Sequence, residues 1–79
     1  MNIQIVLLGQ YRLARETNEF VVELPVGSTA ASAVAFARRG AEAIIPPAPV
    51  IAINHEQSSL DAVLSEGDEL ALLPPVAGG

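Results

Sequence analysis

Gly67-Asp68-Glu69-Leu70-Ala71-Leu72-Leu73-Pro74-Pro75-Val76-Ala77-Gly78-Gly79 is the stretch on which the fold turns. A polar turn, Glu66-Gly67-Asp68, leads into an apolar strand over residues 69–73, and the strand then meets two prolines. Proline has no backbone N–H and a fixed φ, so Pro74-Pro75 ends sheet pairing and launches the chain outward. Beyond them only Val76 and Ala77 carry side chains. The six residues from Pro74 to Gly79 span roughly 20 Å when extended, at about 3.3–3.6 Å each. Taken as the true end of the chain, Gly79 tips this thread with an α-carboxylate and no Cβ. Such a thread fits a narrow tunnel in another protein. Chain ends are commonly frayed and idle, but a diglycine set directly behind a strand and two prolines speaks for use.

Working outward, 79 residues with no lysine, four arginines and nine acids form one small domain of net charge −5. Apolar residues make up 51% of it, enough for a packed core and too much for disorder. The acidity disfavours nucleic acid and anionic membrane as partners and favours a basic surface. Without cysteine there is no disulfide framework, thiolate metal site or thiol nucleophile. The early apolar run Ile5–Leu8 is too short for a secretory signal, and nothing reaches membrane-spanning length. The expected location is the cytoplasm.

Residues 2–8 alternate as a strand, with Ile3, Ile5 and Leu7 toward the core because Gln4 belongs to the other face. That leaves Val6 and Leu8 apolar on the outer face. Gly9 closes this strand, and residues 11–17 form a helical turn or loop. Phe20–Leu24 is a second strand stopped by Pro25. Ser28 or Thr29 caps a helix whose Ala30, Ala33, Val34 and Ala37 make one buried face, with Val34 and Phe36 supplying most of its bulk. Arg38-Arg39-Gly40 ends it, cations complementing the carbonyl end. Ala41–Ile45 is a short turn, and Pro46-Pro47-Ala48-Pro49 excludes helix and central strand alike. Val50–Ile53 is a third strand, Asn54-His55-Glu56 a turn, and Leu60–Leu64 a single helical turn. The pattern alone is α+β, and the crossover it contains is long enough to let the first and last strands lie parallel.

The ending Gly-Asp-Glu, apolar run, Pro-Pro-Val-Ala-Gly-Gly resembles the C-terminus of the small, sulfur-carrier subunits of molybdopterin synthase, the MoaD-like relatives of the thiamine sulfur carrier and of ubiquitin. Ile3–Leu8 followed by Arg12, then Val22-Glu23-Leu24-Pro25 with Gly27 and Thr29, and finally Ile53-Asn54 extend the likeness over most of the chain. It departs at Ala14–Asn18, in the proline-rich 41–49 stretch and at the polar residues 55–59. The resemblance implies a β-grasp fold over residues 1–73, a mixed sheet around one main helix, followed by a flexible tail over 74–79.

Catalytic groups are scarce: one histidine and no phosphate loop or apolar-lined carboxylate pair leave no catalytic set. His55 reads as a solvated turn residue. Glu66, Asp68 and Glu69 flank a turn and are better explained by solvation than by a metal ion, so no metal and no bound cofactor are expected. Arg12 is either half of a weak surface ion pair or a contact to an acidic patch on a partner. The resemblance gives the Gly79 carboxylate its use. An E1-like adenylyltransferase consumes ATP to adenylate it, a persulfide replaces AMP, and the resulting thiocarboxylate serves as nucleophile. Inserted into the large, catalytic synthase subunit, it donates sulfur to cyclic pyranopterin monophosphate, building the dithiolene that holds molybdenum or tungsten. On this reading the chain is a non-enzymatic carrier: Gly78 and Gly79 serve the chemistry, and Pro74, Pro75, Val76 and Ala77 thread the partner. Val6, Leu8 and Leu73, joined by Ala71, form an apolar patch beside the tail. The rivals are a carrier for thiamine, cysteine or tRNA thiolation, a ubiquitin-like conjugating protein, and a β-grasp interaction module with an idle tail.

Overall fold

The computed structural model describes residues 1–75. Its elements are β1 (Asn2–Leu7), a 3₁₀ segment (Gly9–Ala14), β2 (Glu19–Glu23), α1 (Ala30–Ala37), β3 (Val50–Ile53), β4 (Glu56–Ser58) and β5 (Glu69–Leu73). The five strands form one sheet in the order β2-β1-β5-β3-β4. β1 and β5 run parallel at its centre, with Ile5 opposite Leu70 and Leu7 opposite Leu72. The other three pairings are antiparallel. This is the mixed β-grasp sheet that the apolar pattern and the resemblance imply.

Alternation decides which face is buried. Ile3, Ile5, Leu7, Val22, Ile51, Leu70 and Leu72 point inward and pack with Ala30, Ala33, Val34 and Ala37 of α1. An alanine face lets the helix approach the sheet closely, and Phe36 adds partly buried bulk at its margin. No charged or polar residue is buried among the described residues, so apolar burial dominates the cohesion.

Several local features differ from the sequence-based expectation. Thr29 holds the N-cap position but makes no side-chain cap bond, and the Ser28 hydroxyl donates instead to the Pro25 carbonyl at 2.7 Å. The first helical amides find partners elsewhere: Ala30 N–H donates to Ala62 O at 2.9 Å and Ala31 N–H to Leu60 O at 2.8 Å. Residues 60–64 are therefore not a helical turn. They lie across the start of α1, with Thr29 bridged antiparallel to Val63, and their carbonyls do the capping.

The turn after β3 is also tighter than expected. Ile53 pairs directly with Glu56, so Asn54 and His55 alone make the hairpin loop. Both have positive φ, 51° and 73°, as a two-residue type I′ turn requires. The following residues form β4, a short polar edge strand that carries no apolar alternation to betray it in sequence.

At the other end, Leu8 falls just outside β1, and residues 9–14 wind as 3₁₀. This segment inserts Tyr11, 1% exposed, into the core. Burial pushes the Tyr11 phenol above its usual value of 10.0. Arg15 then reaches back to the helix. Its Nη2 donates to the carbonyls of Phe36 and Ala37 at 3.3 and 3.2 Å, and its guanidinium sits 4.7 Å from the centre of the Phe20 ring.

Candidate functional site: the outer face and the exit of the tail

The residues facing away from α1 assemble into a second surface. Strand register sets Val6 beside Ala71, Ala71 beside Ala52, and Leu73 beside Val50. With Leu8 following β1, these make an apolar band across three strands at the end of the sheet where β5 finishes. A groove of about 360 Å³ runs along this face, lined by Val6, Leu8, Ala52, His55, Glu69, Ala71 and Leu73. Leu8 is exposed, Val6 and Leu73 are half-buried, and Ala71 is covered by its neighbours.

The sequence-derived patch of Val6, Leu8, Ala71 and Leu73 thus lies together on one face. Sequence reasoning missed Ala52, whose small side chain gave no signal, and the polar rim of His55 and Glu69. Their side chains approach to 3.7 Å. His55 is there because the type I′ turn folds it back toward β5, which no residue pattern announces.

The turn is fastened to the start of β5 by Asn54. Its amide Nδ2 donates to Asp68 Oδ1 at 2.9 Å, and its Oδ1 accepts from Glu69 N–H at 3.0 Å. The backbone adds Asn54 N–H to Glu69 O at 2.8 Å. Asp68 Oδ2 also accepts from Ser65 N–H at 2.8 Å, and Glu66 Oε1 accepts from Asn2 N–H at 3.0 Å. Asp68 and Glu66 are therefore occupied in shaping turns. Among the described residues, no group of three or more acidic, histidine or cysteine side chains is placed to hold a metal ion.

Arg12 lies apart from the groove, exposed on the 3₁₀ segment. Arg38 Nε donates to Ile45 O at 2.8 Å, tying the helix end to the segment before the prolines. Arg39 stacks on Phe36 at 4.8 Å, a packing role beyond helix-end charge.

Pro74 and Pro75 follow β5 outside the sheet, Pro74 half-buried and Pro75 exposed. Val76, Ala77, Gly78 and Gly79, the remaining residues singled out from sequence, lie outside the described residues. No helix among the described residues is long and apolar enough to cross a membrane.

A mixed five-stranded sheet gripping one helix, with parallel first and last strands and an apolar outer face beside the exit of the tail, defines a ubiquitin-like β-grasp domain. Residues 5–79 match the model of the ThiS family. The chain belongs to that family, a family of ubiquitin-like sulfur carriers.

Solved structures with the same fold include small archaeal modifier protein 1 from Haloferax volcanii. It is 20% identical, covers 95% of this chain and 98% of its own, and has a TM-score of 0.81. A complex of subunits 1 and 2 of the molybdopterin-converting factor from Helicobacter pylori contains a chain 23% identical, with full coverage of both chains and a TM-score of 0.71. The small archaeal modifier protein 1 of Methanosarcina acetivorans is 21% identical, with coverage of 99% and 96% and a TM-score of 0.77.

Proposed function

We propose that this chain is the sulfur-carrier subunit of a molybdopterin synthase, acting in the cytoplasm and supplying a substrate atom while its partner supplies the catalytic side chains. The observation that carries this reading is the placement of the exit. β5 delivers Pro74-Pro75 beside an apolar groove, and the sequence beyond ends in a diglycine. Docking through the groove would hold the base of the tail against the partner, and the unbranched tip would enter its active site. The H. pylori protein of like fold, which is one subunit of a two-subunit converting factor, supports a large subunit as the partner.

The Gly79 carboxylate is a poor electrophile at neutral pH and must be activated. An E1-like adenylyltransferase joins it to the α-phosphorus of ATP and releases pyrophosphate. A persulfide then attacks the acyl carbon, and AMP leaves. A second thiol cleaves the resulting acyl disulfide, freeing the thiocarboxylate. Its soft sulfur attacks the cyclic pterin precursor, and water hydrolyses the acyl link to restore the carboxylate for another cycle. No cofactor need reside on this chain, since ATP is used by the activating enzyme.

The run from Gly67-Asp68-Glu69 through Pro74-Pro75-Val76-Ala77-Gly78-Gly79 supports molybdopterin over thiamine, cysteine or tRNA thiolation. A second reading, amide attachment of Gly79 to other proteins, uses the same activated carboxylate. The deciding experiment reconstitutes sulfur transfer from the wild-type chain and from a chain lacking Gly79. The deletion moves the carboxylate by one residue, about 3.5 Å in an extended thread, whereas 1 Å of misplacement costs on the order of a hundredfold. Loss of transfer with unchanged melting supports the carrier; full transfer without Gly79 removes its carboxylate from the mechanism.

A further inference from the structure

The base of the tail rests on Gly9. β1 ends at Leu7, and the backbone turns at Gly9 with φ +56°, a region that L side chains rarely adopt. Conformation is only half of the reason for glycine here. A Cβ built at this position would stand 2.7 Å from Pro74 Cγ and 3.1 Å from Pro74 Cδ. Carbon atoms pack at about 3.5–4.0 Å, so the ring would have to retreat by roughly 1 Å. It cannot do so by rotamer change alone, because proline's ring is closed onto its own backbone.

The surroundings hold both partners of this contact. Leu8 N–H donates to Leu72 O at 3.1 Å, so the two strands leave the sheet still bonded side by side. Tyr11 N–H donates to Leu8 O at 3.1 Å, and its buried ring anchors the bend from below. The other positive-φ glycines, Gly27, Gly40 and Gly67, meet nothing within 4 Å. Gly9 alone among these four is packed against the tail.

We propose that Gly9 is a positioning residue for sulfur transfer: its bare α-carbon seats the Pro74 ring and thereby sets the direction in which the chain leaves the sheet at Pro74-Pro75. This rests on the reading of Gly79 as the sulfur-bearing end. Val6, Leu8 and Leu73 would fix where the chain docks, and the Gly9–Pro74 seat would fix where the tail points.

The test is a double-variant cycle. Gly9→Asn adds a Cβ while asparagine tolerates positive φ, so collision is separated from backbone strain. Pro74→Ala removes the ring atoms it would strike. Because the chain has no cysteine, a spin label at Ala77→Cys is unique, and paramagnetic broadening of backbone amides maps the space the tail visits. Gly9→Asn is expected to shift that map in the parent chain and leave it unchanged in the Pro74→Ala background, with melting preserved in both. In reconstituted transfer, Gly9→Asn is expected to lower kcat by tenfold or more, in line with the roughly hundredfold cost of 1 Å misplacement. The half-saturating concentration should hold, since the docking groove is intact. An unmoved map, or an equal shift in both backgrounds, overturns the proposal. Should the wild-type chain transfer no sulfur, the functional reading fails, while the map still decides the role of Gly9.

Discussion

The α-ammonium of Met1 donates a 2.7 Å hydrogen bond to the carbonyl oxygen of Leu24, closing the β1–β2 pair at its outer end. That bond engages the one primary amine of a chain that contains no lysine. An activated Gly79 is an acyl donor, and an amine acceptor on the same molecule would consume it. We expect a chain bearing a chemically prepared Gly79 thioester to hydrolyse or react with added amine but to form no dimers of itself. Introducing one exposed acceptor, Glu42→Lys, should produce self-acylated species by mass spectrometry under the same conditions. Dimers from the lysine-free chain would show that the Leu24 bond leaves Met1 free to react.

Tyr11 makes the alkaline stability unusually readable. Burial raises its pKa above 10.0 in the folded state, so above that pH the unfolded chain releases the phenolic proton first. The unfolded state then binds fewer protons than the native state, and stability falls as pH rises. With one tyrosine, no lysine and no cysteine, no other side chain loses a proton in that window. Denaturant midpoints should drop from pH 10 upward in the wild type, and Tyr11→Phe should flatten that limb. A limb that persists in Tyr11→Phe would assign it elsewhere.

Much of this architecture was legible because two apolar periodicities were clean. Ile3, Ile5 and Leu7 announced their face, and Ala30, Ala33, Val34 and Ala37 announced the helix stripe. The outer patch was legible for the same reason, since Val6 and Leu8 are apolar where an exposed sheet face calls for polar residues. What escaped had no periodic signature. β4 is three polar residues held by backbone pairing, and residues 60–64 are shaped by the amides of α1 rather than by their own propensity. The helical turn expected after Gly9 is present as 3₁₀, but the burial of Tyr11 carries no signature, because it depends on the bend at Gly9. Arg15 carries no sequence signal either, because its role depends on the end of the helix lying within its reach.

Arg15 supports a third expectation. Its Nη2 satisfies two terminal carbonyls of α1, although its Nε is buried without a partner. Hydrogen bonds to charged groups contribute about 1.5–3 kcal/mol, and the unpaired Nε offsets part of that. Arg15→Met, which keeps the stem over Phe20, should therefore destabilise by about 1 kcal/mol. The loss should fall chiefly on amide-exchange protection at the end of α1. Both bonds leave one nitrogen, and a lysine ammonium also carries donors for two carbonyls, so Arg15→Lys should recover part of the loss. A fully stable Arg15→Met chain would reduce this contact to packing.

The outer groove yields the sharpest test of partnership. Leu8 and Leu73 line it without belonging to the cluster on the other side of the sheet, so charge introduced there leaves the fold's cohesion in place. In complex, the same charge would be driven into an apolar contact, where an unpaired carboxylate is strongly penalised. Truncating an interface anchor commonly costs more than about 1 kcal/mol, and Leu8→Asp or Leu73→Asp should exceed that, weakening affinity for the proposed partner subunit by tenfold or more. Arg12→Ala, exposed and away from the groove, should change the salt dependence of association more than the affinity. Calorimetric titration distinguishes the two effects. Unchanged affinity in both aspartate variants, with melting preserved, would place the docking face elsewhere and leave the apolar band without a role in assembly.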